Sequence, residues 1–165
     1  MEIINKIGAS GIKTLDLGSY KPIDKDFVLF DIVPFLVGGF LLQEKTFRLE
    51  MAKIDWKHYK GKDVVITCSN DAIVPLWAYV LMSSLLAPHA SIVIYSAARN
   101  HKVCLWMERI KRIEFTAFIN QKVVLKANSS IPEEIVVLAT NQLIKYVQTL
   151  MWGEVGSPLM IYKRK

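Results

Sequence analysis

The residues best suited to chemistry sit in one short stretch, Cys68-Ser69-Asn70-Asp71, between the apolar run Val64–Thr67 and a longer apolar run beginning at Ala72. A thiol, a hydroxyl, an amide and a carboxylate in succession supply a nucleophile or soft ligand and hydrogen-bonding groups of both senses. The first run reads as a buried strand and the second as a buried helix, with Asp71 as its N-cap and Pro75 in its first turn. A thiol just ahead of a helix start meets the positive end of the helix dipole, which favours the thiolate. The plainer readings stand beside this one: a cysteine packed as a small hydrophobe, and an aspartate that only caps.

Two later strand ends resemble the first. Val123–Lys126 is followed by Asn128-Ser129 and then by proline and a helix, a weak internal repeat of Val64–Ser69. A third end, Gly153-Glu154-Val155-Gly156-Ser157-Pro158, again places a small residue before serine. In open α/β sheets, ligands bind outside the carboxyl ends of the strands. Cys68, Ser69, Asp71, Asn128, Ser129, Glu154, Gly156 and Ser157 are therefore the candidate ligand-binding residues, expected to converge on one crevice. Turn and cap formation is the bland alternative.

Cys68 is the one candidate for catalysis. His58, His89 and His101 fall in turns or at a helix start, and none is placed as an obvious base; Cys104, beside Trp106 and Met107, reads as a packing residue. Asp55 and Trp56 read as an interaction spot or, more plainly, as a turn after a helix with the indole packed inward. No carboxylate pair has acid/base spacing. Neither GxGxxG nor a P-loop occurs, and no CxxC pair offers a zinc knuckle, so no metal ligands are assigned.

The elements that must position these residues follow in order. A short helix is expected within 2–12, strands at Lys13–Leu17 and Phe27–Ile32, a helical turn or a bend at Pro34–Gly39 and a helix over Lys45–Ile54. Strand Val64–Thr67 and the helix to Ala87 follow, then strand Ser91–Tyr95 and a helix over His101–Glu114 with Asn100 as cap. Strand Lys122–Lys126, a helix opened by the capping box Ser130-Ile131-Pro132-Glu133 and running to about Gln148, strand Thr149–Trp152 and an edge strand Leu159–Tyr162 complete the chain. The expected fold is one α/β domain over residues 1–165. It is a three-layer, largely parallel βαβαβαβ sheet with antiparallel additions from the N-terminal quarter.

At 165 residues, 52% apolar and 22% charged, the chain is globular in composition. Its most apolar run, Phe27–Leu42, is broken by Asp31, Pro34 and Gly38-Gly39, too short for a membrane span. The start lacks the pattern of a signal peptide, so a cytoplasmic location is expected. The net charge of +6 is carried in part by Arg109, Lys111 and Arg112 and by the tail Lys163–Lys165. A basic surface could attract nucleic acid, but a solvated helix face is the simpler reading.

The chain resembles a bacterial family, domain of unknown function 2480. The resemblance rests on Phe30-Asp31-Ile32, Asp55-Trp56 with Tyr59 and Gly61-Lys62, and Cys68-Ser69 with Asp71–Pro75 and Trp77-Ala78-Tyr79. Gly153-Glu154 and Tyr162-Lys163-Arg164 also fit. It implies a Cys-Ser pair at three strand ends, of which this chain keeps Cys68-Ser69 and has Asn128-Ser129 and Gly156-Ser157 at the others. Three convergent thiolates would suit zinc or an iron–sulfur cluster; one thiolate would not hold either strongly, so a family metal or cluster is expected to be lost here. The resemblance further implies an accessory role beside the iron–sulfur assembly machinery. The reading is a non-enzymatic accessory or binding protein with a strand-end crevice around Cys68. The alternatives are a thiol-dependent enzyme or persulfide carrier using Cys68, and nucleic-acid binding through the basic surface.

Overall fold

The computed structural model describes residues 11–97, 100–126, 128–154 and 156–165. The helix expected within 2–12 lies almost wholly outside the described residues. The chain divides into two compact units. One is continuous, Pro22–Leu105; the other is split, Met1–Lys21 with Trp106–Lys165.

The continuous unit carries strands β2 (Phe27–Asp31), β3 (Asp63–Thr67) and β4 (Ile92–Tyr95), and helices α1 (Glu44–Lys53) and α2 (Leu76–Leu86). Its three strands are parallel, in the order β2-β3-β4. Val64, Val65 and Ile66 are all buried because both sheet faces are covered. On one face Phe30, Val64 and Ile66 pack with Phe47 and Met51 of α1 and Ala78, Met82 and Leu86 of α2. On the other, Phe27, Val65 and Ile92 pack with Leu105.

The split unit carries β1 (Ile12–Leu15), β5 (Lys122–Lys126), β6 (Thr149–Gly153) and β7 (Leu159–Lys163), with helix α4 (Glu133–Leu143). Its sheet runs β1-β5-β6-β7, the first three parallel and β7 antiparallel on β6. Helix α3 (His101–Lys111) contains the boundary between the units.

The mixed α/β fold with largely parallel strands is present, with two differences from expectation. Among the described residues there are two sheets, because β5 pairs with β1 in one and β4 pairs with β3 in the other. The N-terminal strands β1 and β2 are also parallel to their neighbours, so the antiparallel strand is β7; a lone antiparallel bridge, Val37 to Leu41, lies in the N-terminal quarter.

The internal repeat runs far beyond the two strand ends. Phe27 pairs with Asp63 as Ile12 pairs with Lys122, and Asp63 pairs with Ile92 as Lys122 pairs with Thr149. Before each central strand stands a 3₁₀ turn, Trp56–Tyr59 or Phe115–Phe118, followed by a left-handed residue. That residue is Gly61 (φ 70°) in one unit and Asn120 (φ 55°) in the other, the two types that tolerate the conformation best. Gly61 N–H donates to His89 O, and Asn120 N–H to Tyr146 O. Pro75 and Pro132 are N-caps of α2 and α4, with buried Ala78, Met82 and Leu86 matched by Ile135, Ala139 and Leu143. The two units are two copies of one structural frame.

Candidate functional site

The site is built on the ends of the continuous unit's three strands. Asp31, the last residue of β2, lies opposite Thr67, the last of β3. One Asp31 oxygen accepts from the N–H of Val33 (3.2 Å) and of Ser69 (3.1 Å), and the other accepts from the Ser69 hydroxyl at 2.5 Å. Charge-assisted bonds of this kind are the strong class, so the chain after β3 is tied to the chain after β2.

Asn70 sets the next bend. Its Oδ1 accepts from the Ala72 N–H (3.0 Å) and from the Cys68 thiol (3.3 Å), while its Nδ2 donates to Gly39 O. A side-chain oxygen bonded to the backbone two residues on is the mechanism by which asparagine makes turns. Asp71 is exposed, and α2 begins only at Leu76 with Pro75 as its N-cap and no side-chain cap. The expectation that Asp71 caps this helix is thereby corrected. The residue before a proline is held out of the helical region, so the helix starts at the proline and not before it. The same correction applies at α4, where Pro132, not Ser130, is the cap. Cys68 consequently lies outside the turn that opens α2.

Cys68, Ser69, Asn70, Asp71 and Ala72 line a crevice of about 570 Å³, together with Tyr79 from α2, Tyr95 at the end of β4, Ala97 and Asn100. Its size is that of a small-molecule site. The Tyr79 and Tyr95 rings meet edge to face at 5.2 Å. Burial, and after it the neighbouring Tyr95 and Cys68, push the Tyr79 phenol above its ordinary 10.0. Two phenols, a thiol, two amides and the Asp71 carboxylate thus surround a half-open space.

The remaining candidates lie in the split unit. Asn128 and Ser129 line a hollow of about 410 Å³ with Ile131, Glu133, Val136, Val137 and Trp152. Asn128 Oδ1 accepts from the Ser130 N–H (2.9 Å) and hydroxyl (2.8 Å), a turn of the same type as that at Asn70. At the place equivalent to Asp31, Asp16 accepts from the Gly18 N–H (2.9 Å) and pairs with the Lys126 ammonium at 3.1 Å. The Lys126 bond holds the Asp16 carboxyl below its ordinary 3.8, outweighing the opposing effect of burial, with the Gly18 N–H helping. Asp16 in return raises Lys126, as does the charge of Glu154 to a smaller extent. Glu154, Gly156 and Ser157 belong to the link between β6 and β7, which leads into a strand and not a helix.

Asp31, Tyr79, Tyr95 and Asn100 are not among the candidate ligand-binding residues read from the sequence, and Asn70 enters there only as a member of the polar stretch after the strand. A signal for Asp31 existed: Leu15-Asp16-Leu17 and Phe30-Asp31-Ile32 are matching strand ends. Tyr79 stands in the Trp77-Ala78-Tyr79 motif, while Tyr95 carries no signal, since only the pairing of β4 with β3 brings it to the strand end that holds Cys68.

Trp56 donates from its indole N–H to Met51 O (3.0 Å) and packs on Phe30, while Asp55 accepts from the Lys57 N–H. Both are structural. No histidine lines the crevice among the described residues: His101 packs on Phe27, and His58 lies 3.2 Å from Lys62 Nζ. Cys104 accepts from the Ser96 hydroxyl at 3.5 Å, and both cysteines are free thiols.

No group of three or more His, Cys, Asp or Glu side chains that could hold a metal occurs among the described residues. Around Cys68 stand a single thiol, a hydroxyl committed to Asp31, an amide committed to the backbone and one exposed carboxylate, Asp71, a set with too few thiolates or imidazoles to fit a closed zinc site or an iron–sulfur cluster. Among the described residues no helix is long and apolar enough to cross a membrane. Neither the comparison with curated proteins nor that with solved structures gives a match. The family described as "Protein of unknown function (DUF2480)" matches residues 1–164, nearly the whole chain, and the chain belongs to this family.

Proposed function

We propose that the protein is a non-enzymatic binding protein that takes a small ligand in the crevice of the continuous unit. The observation that carries this reading is the pre-set wall of the crevice. Asp31 and Asn70 fix the Cys68–Ala72 loop through bonds to the neighbouring strand end and to Gly39, so its lining groups are in place beforehand. Pre-organisation of this kind lowers the ordering cost of binding. The lining favours a neutral or cationic molecule with a flat apolar face for Tyr79 and Tyr95 and a polar edge for Asp71 and Asn100.

The test is an NMR titration of the ¹⁵N-labelled full chain with small phenols and aromatic amines. Amide shifts centred on 68–72 and 95–97, lost in Tyr79→Ala, are expected. Shifts elsewhere, or none, would sink the reading.

A thiol-dependent activity is the second reading, favoured by the position of Cys68 on the crevice wall. It requires Cys68 to be alkylated at neutral pH much faster than Cys104. Equal, slow rates would remove it. An accessory role in iron–sulfur assembly would place the same crevice or its rim against a partner of that machinery.

A further inference from the structure

The hollow at the strand ends of the split unit has a counterpart in the continuous unit. Pro75 and Pro132 cap matching helices, so Leu76 corresponds to Glu133 and Tyr79 to Val136. Tyr95 pairs with Ile66 as Trp152 pairs with Leu125. Leu76, Tyr79 and Tyr95 line a hollow of about 410 Å³ in the continuous unit, and Glu133, Val136 and Trp152 line one of about 410 Å³ in the split unit. The duplicated frame thus presents one place twice, with different chemistry. Tyr95 has the Tyr79 ring against it. Trp152 has valine at that position, and among the described residues it has neither a ring partner nor an acceptor for its indole N–H. The indoles of Trp56 and Trp106 do donate, to Met51 O and Leu17 O. Glu133 has no ion pair among the described residues.

We propose that the hollow of the split unit is a second binding site, and that it takes a small organic cation with an alkylated ammonium head. An aromatic face attracts such a head through its quadrupole, and tryptophan does so best. Valine in place of tyrosine leaves the indole without a competing ring, and Ile131 and Val137 add apolar wall for the alkyl groups. The charge at the site has the matching sign. A helix start carries about half a positive charge, but the first turn of α4 holds two carboxylates, Glu133 and Glu134, where that of α2 holds none. The lysine at this strand end, Lys126, is already paired with Asp16. The place is therefore locally negative on a chain of net charge +6, which turns anions away and draws a cation in. Asn128 and Ser129 give the hollow a polar edge, suited to a hydroxyl or carbonyl on the chain that bears the head. The site belongs to the other unit and stands whether or not the Cys68 crevice takes phenols.

The test is an NMR titration of the ¹⁵N-labelled full chain with tetramethylammonium chloride. It is read against sodium chloride at equal ionic strength and against tert-butanol, an uncharged molecule of similar size. A saturating shift of the Trp152 indole N–H and of the amides around Ser129 and Val136 is expected from tetramethylammonium and from neither control. Trp152→Leu, followed through those amides, should weaken binding at least about fivefold. Glu133→Gln should weaken it about threefold. If Trp152→Leu fails to fold, Val136→Tyr decides: it sets against Trp152 the ring that Tyr79 sets against Tyr95, and should also weaken binding at least about fivefold. No saturating shift, an equal response to tert-butanol, shifts centred on the Cys68–Ala72 loop, or unchanged affinity in Trp152→Leu or Val136→Tyr would each overturn the proposal.

Discussion

The two units fold along one path and differ where the path leaves the central strand. In the split unit, Asp16 receives a lysine from the strand itself, and the chain turns at Asn128 straight to Pro132. In the continuous unit, Thr67 stands in place of Lys126, and Asp31 reaches past it to hold Ser69. The segment up to Pro75 is longer there, and Cys68, Asn70 and Asp71 wall a crevice. One aspartate at one strand end thus serves a surface ion pair in one unit and the frame of a site in the other. The scaffold fixes the aspartate; the residue across from it decides what it does.

The shared frame gives the largest expected effect. Phe47 in α1 and Trp106 in α3 occupy matching positions and are both buried. Phe47→Ala and Trp106→Ala should each cost about 3–5 kcal/mol in urea unfolding. If one were tolerated, the units would not share a core plan.

The next effect separates the units. Asp31→Ala leaves two backbone N–H groups and a hydroxyl without their acceptor, and should cost about 2–3 kcal/mol. Asp16→Ala, whose lysine partner is half in water, should cost about 1 kcal/mol or less. The pH dependence follows from the direction of the Asp16 shift. Because its folded-state value is depressed, its contribution is complete above the unfolded value near 3.8 and is lost as pH falls through the lower folded value. Asp16→Asn should flatten that part of the acid stability profile, and an unchanged profile would contradict the pairing with Lys126.

The smallest effect tests equivalence at the left-handed turn. Gly61→Asn copies Asn120 at a position with open space around it and should shift stability by no more than about 0.5 kcal/mol. Gly61→Val, with a β-branched side chain at positive φ, should cost about 1–2 kcal/mol.

Much of this frame is legible in the residues. The Val-rich runs at Val64 and Val123 mark the buried parallel strands, and the match of their following segments already suggests a repeat. Strand partners are not legible: β1 joins β5 across most of the chain, and local pattern carries no information on so distant a choice. The helix starts were misplaced because Asp71 and Ser130 have the chemistry of caps, while the proline that follows each one overrides it. The place of Cys68 and Ser69 at a strand end, on the wall of a crevice, was legible. Their supports, Asp31 and Asn70, act through bonds to residues far along the chain, Ser69 and Gly39, which only folding brings near.

The continuous unit keeps a pre-formed crevice walled by a thiol and two phenols, where the hollow at the matching strand end of its sister copy has an amide and a hydroxyl but neither of those groups. The most direct measurement is a crystal structure of the full chain soaked in phenol. Ordered phenol is expected against Tyr79, Tyr95 and the Cys68–Ala72 loop, with Asp31 and Asn70 still holding that loop. Phenol bound only against Val136 and Trp152, or a crevice filled by its own tyrosines, would contradict it.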